Sequence, residues 1–181
     1  MIFVYIAEGF EEIEALTPVD VLRRAGLQVE TVSVENDLTV AGAHGITIVC
    51  DTMLAESEKI QAEALILPGG MPGALGLLHS PVLLERLRSE NEKGTLICAI
   101  CAAPMVLAKA GILSGRKAVI YPGMEAEIKG AVPCSAIVCV DENLITSQGP
   151  ATAMPFSLEI LKALTDAHTR DEIKKGLLFH D

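Results

Sequence analysis

Cys101 is the residue in this chain best placed to do chemistry. It stands between an apolar run and an Ala-rich helical pattern, in TLICAICAAPMVLAKA at 95–110. A strand that turns straight into a helix brings the residues two before and two after the pivot almost into contact, so both must be small. Here they are Ala99 and Ala103. Pro104 falls in the first helical turn, where its missing N–H does no harm. A thiol at a helix N-terminus meets unpaired N–H groups and the positive end of the dipole. Both favour thiolate over a thiol whose free pKa is about 8.5. The residues alone leave two readings open: an activated nucleophile, or one more buried small side chain at a helix start.

Other features bear on that thiol. Cys98 makes a C-x-x-C spacing with Cys101, but it lies inside the strand and points the other way, so it reads as a buried structural thiol rather than a redox partner. The turn PGGMPG at 68–73 lacks the residues of a phosphate loop or a dinucleotide fold. Either it is a plain tight turn, or the Gly69–Gly70 pair exposes an N–H that would combine with the Ala102 N–H as an oxyanion hole. Glu8, Glu11, Glu12 and Glu14 crowd the end of the first strand. Acids there complement a helix dipole and need no further reason, unless a thiol is their neighbour. His44, His79, His168 and His180 read as surface residues, and Cys134 and Cys139 are spaced wrongly for a zinc ribbon, so no metal is expected.

The elements that must hold these residues follow from short apolar runs alternating with helical patterns. Strands are predicted over 2–7, 28–34, 64–67, 95–100, 117–121, 135–140 and 143–147, with a hairpin over 38–50. Helices are predicted over 11–25, 53–60, 81–92, 102–110, 151–165 and 170–178. The alternation implies one α/β domain over 1–181 with a mostly parallel sheet covered on both faces. In such sheets chemistry sits outside the carboxyl ends of the strands. That points to the segments at 8–14, 68–73 and 101–104, and to Tyr121 and Pro122.

Composition limits the partners. The chain has 181 residues, half of them hydrophobic, and a formal net charge of -10. Without a cluster of Lys and Arg, direct nucleic-acid binding is not expected. The longest apolar run, from Leu96 to Ala108, contains Pro104 and falls short of the roughly 18 residues a membrane span needs. The N-terminus has neither the basic region nor the apolar length of a signal peptide. A cytoplasmic protein is expected, and its five cysteines then read as thiols rather than disulfides.

Four blocks together resemble the ThiJ/PfpI superfamily, and within it the branch of the parkinsonism-associated deglycase: AEGFEEIEALTPVDVLRRAG at 7–26, LILPGGMPGA at 65–74, ICAICAAP at 97–104 and ITSQGPATA at 145–153. The resemblance implies a flavodoxin-like three-layer sandwich and a homodimer. It implies Cys101 as nucleophile, a protonated Glu14 hydrogen-bonded to it, and an oxyanion site at the backbone of Gly70 and Ala102. It further implies cofactor-free conversion of glyoxal or methylglyoxal, or repair of glycated groups, or a redox-linked protective role. Three positions depart from the pattern. Ala102 stands where the peptidases of the superfamily carry His, which argues against a protease. Tyr121 precedes Pro122 where the deglycase branch often has His-Pro, and His44 replaces an Arg near the family's dimer-facing anion site. An amide hydrolase is disfavoured because no His can be placed.

Overall fold

The computed structural model describes residues 1–180. Its central sheet has seven strands, in the order β10-β11-β7-β6-β1-β2-β5. These are β1 (Ile2–Ile6), β2 (Val29–Ser33), β5 (Thr52–Met53), β6 (Ala64–Leu67), β7 (Leu96–Ile100), β10 (Val138–Asp141) and β11 (Leu144–Ser147). Every neighbouring pair is parallel except the edge pair β10–β11. The middle strands are continuous apolar runs because both of their faces are covered. All five residues of β1 are fully buried.

Two helical layers provide that cover. On one face lie α1 (Glu12–Arg24) and α6 (Ala153–Leu164), which pack Val19, Leu22, Phe156 and Ile160 against Val4, Ile66 and Cys98. On the other lie α3 (Gly73–Leu78), α4 (Pro81–Glu92) and α5 (Pro104–Lys109), which pack Leu77, Leu83 and Leu107 against Phe3, Leu65 and Ile97. Burying each such side chain contributes roughly 1.5–3 kcal/mol. The result is a flavodoxin-like α/β sandwich, as the sequence predicts. The helix predicted over 53–60 is only the single turn α2 (Leu54–Ser57), and α7 (Ala167–Gly176) starts earlier than its pattern suggests.

Three differences from the sequence reading matter for the site. First, α3 is missing from the prediction because its start is hidden in the Gly-Pro turn. Gly73 is required there by packing, since a Cβ on it would lie 2.7 Å from the Phe10 Cα. Second, the strand expected over 117–121 shrinks to β8 (Lys117–Ala118), which pairs with β9 (Val132–Pro133) outside the main sheet. Tyr121 therefore follows a loop, not a sheet strand. Third, the hairpin is the small antiparallel ribbon of β3 (Thr39–Ala41) and β4 (Thr47–Val49), which leans on α1 rather than joining the sheet. Among the described residues, no helix is long and apolar enough to cross a membrane.

Candidate active site

Cys101 is the pivot between β7 and α5. Its backbone is left-handed, with φ 62, a conformation that costs a non-glycine residue of order 1–3 kcal/mol and persists only where the surroundings impose it. Three contacts impose it here. The Cys101 N–H donates to the Ser147 carbonyl at 2.9 Å, the Ala103 N–H donates to the Ile100 carbonyl at 3.0 Å, and the Tyr121 N–H donates to the Cys101 carbonyl at 2.9 Å. Ala99 and Ala103 are both fully buried, as the sharp turn requires. The thiol itself is half-buried.

Glu14 is brought to that thiol by α1. Glu11 is the helix N-cap, and its carboxylate accepts the Glu14 N–H at 2.7 Å. Glu14 lies one turn further along, with no solvent exposure. Its Oε2 accepts the Gly69 N–H at 2.8 Å, and the carboxyl also hydrogen-bonds Cys101. No amide, hydroxyl or other N–H group among the described residues satisfies Oε1. This atom faces Gly149, where an added Cβ would lie 4.0 Å away and would also meet the Tyr121 ring.

The turn at 68–73 closes the site from the β6 side. A Cβ on Gly69 would lie 2.7 Å from both the Cys101 Cβ and Glu14 Oε2, so any side chain there would fill the space between the two groups. Gly70 has φ +88, and a Cβ on it would strike the Glu11 backbone nitrogen at 2.4 Å. These glycines let the turn lie directly on the loop before α1, where the Glu11 N–H donates to the Gly69 carbonyl at 3.0 Å. The Gly70 and Ala102 amides hydrogen-bond the Cys101 sulfur. The glycine pair is thus a tight turn that aims the Gly70 N–H at the Cys101 sulfur.

Burial pushes the Glu14 carboxyl up to about 7. The hydrogen bonds with Cys101 and Gly69 oppose that rise, and the charge of Glu11 adds to it. Burial also pushes the Cys101 thiol up, to about 12, helped by the Glu14 carboxylate and opposed by the Gly70 and Ala102 amides. The amides act in the direction expected of a helix N-terminus, but burial, and after it the Glu14 carboxylate, acts against them. The helix α5 itself starts three residues later and has only six residues. Two groups this close titrate as one unit. Burial thus favours the protonated form of both groups, and the carboxyl is the first of the two to ionise. Two amides favour the negative charge on sulfur and one favours it on the carboxyl.

The other expected site residues are placed unequally. Tyr121 is largely exposed; together with Pro122, Gln148 and Gly149 it lines an open pocket of about 280 Å3 at the mouth of the site. Neither Gln148 nor Gly149 is distinguishable from sequence except as part of a resembling block. His44 is not brought to Cys101. It sits on the ribbon turn, where its Nδ1 lies 2.7 Å from Glu12 Oε2 and its N–H donates to Glu12 Oε1 at the same distance. Glu12 is thus more than a dipole-complementing acid. Burial raises its pKa, but the hydrogen bonds from His44 and Ile46 bring it below the usual value, and His44 is raised in turn by Glu12. Glu11, Glu12 and His44 each offer one ligand atom within 4.8 Å of the others, yet these oxygens are already engaged in capping α1 and clamping the ribbon.

Cys98 is wholly buried beneath α1 and α6, and burial raises its thiol well above the ordinary value. The structural reading of the C-x-x-C spacing agrees with this position.

The DJ-1/PfpI family model matches residues 1–163. The chain is 38% identical over 177 residues to Protein dj-1beta of Drosophila melanogaster, covering 97% of this chain and 95% of that one. It is 34% identical over 182 residues to the Parkinson disease protein 7 homolog of Danio rerio, covering 98% and 96%. Among solved structures, the oxidized DJ-1 of Toxoplasma gondii superposes with a TM-score of 0.96 at 35% identity, covering 99% of this chain and 98% of that one. With the elbow cysteine, the buried glutamate and the glycine turn all in place, the chain belongs to the DJ-1/PfpI family.

Proposed function

We propose that the protein is a cofactor-free, cysteine-dependent enzyme that converts glyoxal, methylglyoxal or their adducts to the corresponding hydroxy acid. The observation that carries this reading is the buried Glu14 carboxyl hydrogen-bonded to the half-buried Cys101 at the β7–α5 elbow. The Cys101 thiolate adds to the aldehyde carbon, and the carbonyl oxygen takes the Glu14 proton. The Gly70 and Ala102 amides, which hold the sulfur in the resting site, are near enough to support the developing oxyanion. The Glu14 carboxylate next removes the C–H proton of the hemithioacetal and returns a proton to the neighbouring carbon, which gives a thioester. Water adds to the thioester and expels Cys101. The net change is addition of water to the dicarbonyl, with no external oxidant.

Turnover of methylglyoxal tests this directly. The parent protein is expected to turn over and Cys101→Ala is not; a parent without turnover on a panel of glyoxals, amides and peptides would remove the enzyme reading. A homodimer belongs to the same proposal, and light scattering that returns 19.2 kDa at micromolar concentration would contradict it. A cytoplasmic location belongs to the same proposal.

One observation favours a second reading, in which oxidation of Cys101 is a switch. A sulfenic acid at Cys101 has no resolving thiol in Cys98, which lies wholly buried in its strand. Oxidation then proceeds to sulfinate, and a neutral Glu14 can donate a hydrogen bond to one of its oxygens. Mild peroxide should add two oxygens at Cys101. A Cys98–Cys101 disulfide as the main product would defeat this reading.

A further inference from the structure

A second pair of thiols lies away from Cys101, on the flank built by β8, β9 and β10. Cys139 is the second residue of β10 and pairs in register with Thr146 of β11. Residues paired in this way project to the same face of an antiparallel ladder. The Thr146 Oγ1 on that face accepts the Val119 N–H at 3.0 Å. Cys134 follows directly after β9, and its N–H donates to the Ala118 carbonyl at 3.1 Å. Both cysteines are thereby brought to the same two residues, Ala118 and Val119, and their thiols hydrogen-bond each other.

The two thiols differ in access. Cys139 is 3% exposed, whereas Cys134 is half-buried and lines a cavity of about 240 Å3 with Ile128, Pro133 and Gln148. That arrangement gives one thiol a small oxidant can reach and one held behind it.

We propose that Cys134 and Cys139 form a redox-active dithiol, separate from Cys101, which a hydroperoxide closes to an intramolecular disulfide. The Cys134 thiolate attacks a peroxide oxygen; the S–O bond forms, the O–O bond breaks, and the departing hydroxide or alkoxide takes a proton. The Cys139 thiolate then attacks the sulfenic sulfur and expels hydroxide, which leaves as water. Two thiols lose two electrons and the peroxide gains them. Burial pushes the Cys139 thiol up to about 12, and the hydrogen bond and charge of Cys134 add to that rise, with Asp141 raising and Lys117 lowering it. Once Cys134 is a neutral sulfenic acid its charge no longer opposes ionisation of Cys139, so the first oxidation prepares the second step. This inference does not depend on aldehyde chemistry at Cys101.

The test is peptide mapping without reduction, on Cys101→Ala protein treated with stoichiometric hydrogen peroxide and then alkylated. The expected product is one chain in which the Cys134 and Cys139 peptides are linked, two hydrogens lighter than the reduced pair and restored by dithiothreitol. Replacing Cys139 with Ser should raise dimedone trapping at Cys134 at least tenfold, and Cys139→Ala serves if the Ser variant does not fold. Cys134→Ser, at the half-buried position, should abolish the link while keeping the native circular dichroism spectrum. Three outcomes would overturn the proposal: sulfinate at Cys134 with Cys139 still alkylatable, a disulfide joining two chains, or two free thiols after Cys50 has begun to oxidise.

Discussion

Cys101 and Cys139 are both pushed up to about 12, largely by burial, yet their neighbours give them different chemistry. Beside Cys101 stands a carboxyl that can hold or release a proton near 7, together with two amides and an open mouth. Cys139 is hydrogen-bonded to another thiol, Cys134, at the edge of the sheet, with the charges of Asp141 and Lys117 opposing each other nearby. As proposed, the first pair moves a proton on a bound molecule, whereas the second exchanges electrons with it. Thiol pKa alone would not separate the two sites, whereas the identity of the group sharing the proton does.

The largest effect should come from removing the nucleophile. Cys101→Ala is expected to lower methylglyoxal turnover by roughly 10³-fold or more, while Cys134→Ser should leave it within about twofold. Equal losses in both variants would erase the distinction between the two thiol sites.

Glu14→Gln comes next. An amide can occupy the same space and still donate a hydrogen bond, but it cannot relay a proton, so turnover should fall by roughly 10²–10⁴-fold. The pH profile of Cys101 alkylation by iodoacetamide is the sharper measurement. In the parent the profile should carry an inflection near 7, where Glu14 ionises beside the thiol, and the variant should lose that inflection. An inflection unchanged by the substitution would remove Glu14 from the pair.

The same substitution should alter stability with a definite sign. A carboxyl raised from 4.5 to about 7 contributes stability that is fully present below 4.5 and lost as pH rises through 7. The parent should therefore lose on the order of 3 kcal/mol across that window, a loss that Glu14→Gln escapes. Urea unfolding of both proteins on either side of the window reads the difference; parallel pH dependence would show that Glu14 is already ionised.

Gly69→Ala should cost roughly 1–3 kcal/mol by overpacking, because the new methyl group meets both Cys101 and Glu14 at 2.7 Å. Turnover should fall with it, while oxidation of Cys134 stays unchanged. The smallest effect is expected at Glu12. Its attraction to His44 requires a carboxylate and an imidazolium together, so Glu12→Gln should destabilise most between the two unfolded values, roughly 4.5 and 6.5, and progressively less as pH rises through the raised His44 value. Thermal unfolding across that range checks it, and turnover should hardly change.

Much of the site was legible in the sequence because its parts are local. The small residues Ala99 and Ala103 flanking Cys101, the proline at 104 and the glycines at 69 and 70 each answer a steric demand of a turn. The parallel sheet follows from continuous apolar runs, since a strand covered on both faces has no polar side to show. Helix α3 escaped because its first residue is a glycine demanded by contact with Phe10, a residue more than sixty positions away. His44 was expected at the site on the strength of its position in a resembling pattern; only the ribbon's packing on α1 shows that it clamps Glu12 instead. The Cys134–Cys139 pair also escaped, because neither β8 nor β9 is long enough to leave a pattern.

What the sequence determined by itself, then, is the set of backbone pivots and the residue types placed on them, since local sterics and hydrophobic period are written within a few neighbours. What only the tertiary structure decided is which ionisable groups stand beside one another. Glu14 and Cys101 lie on different elements on either side of the Gly69 turn, and their electrostatics depend on a distance and a burial that no spacing along the chain encodes.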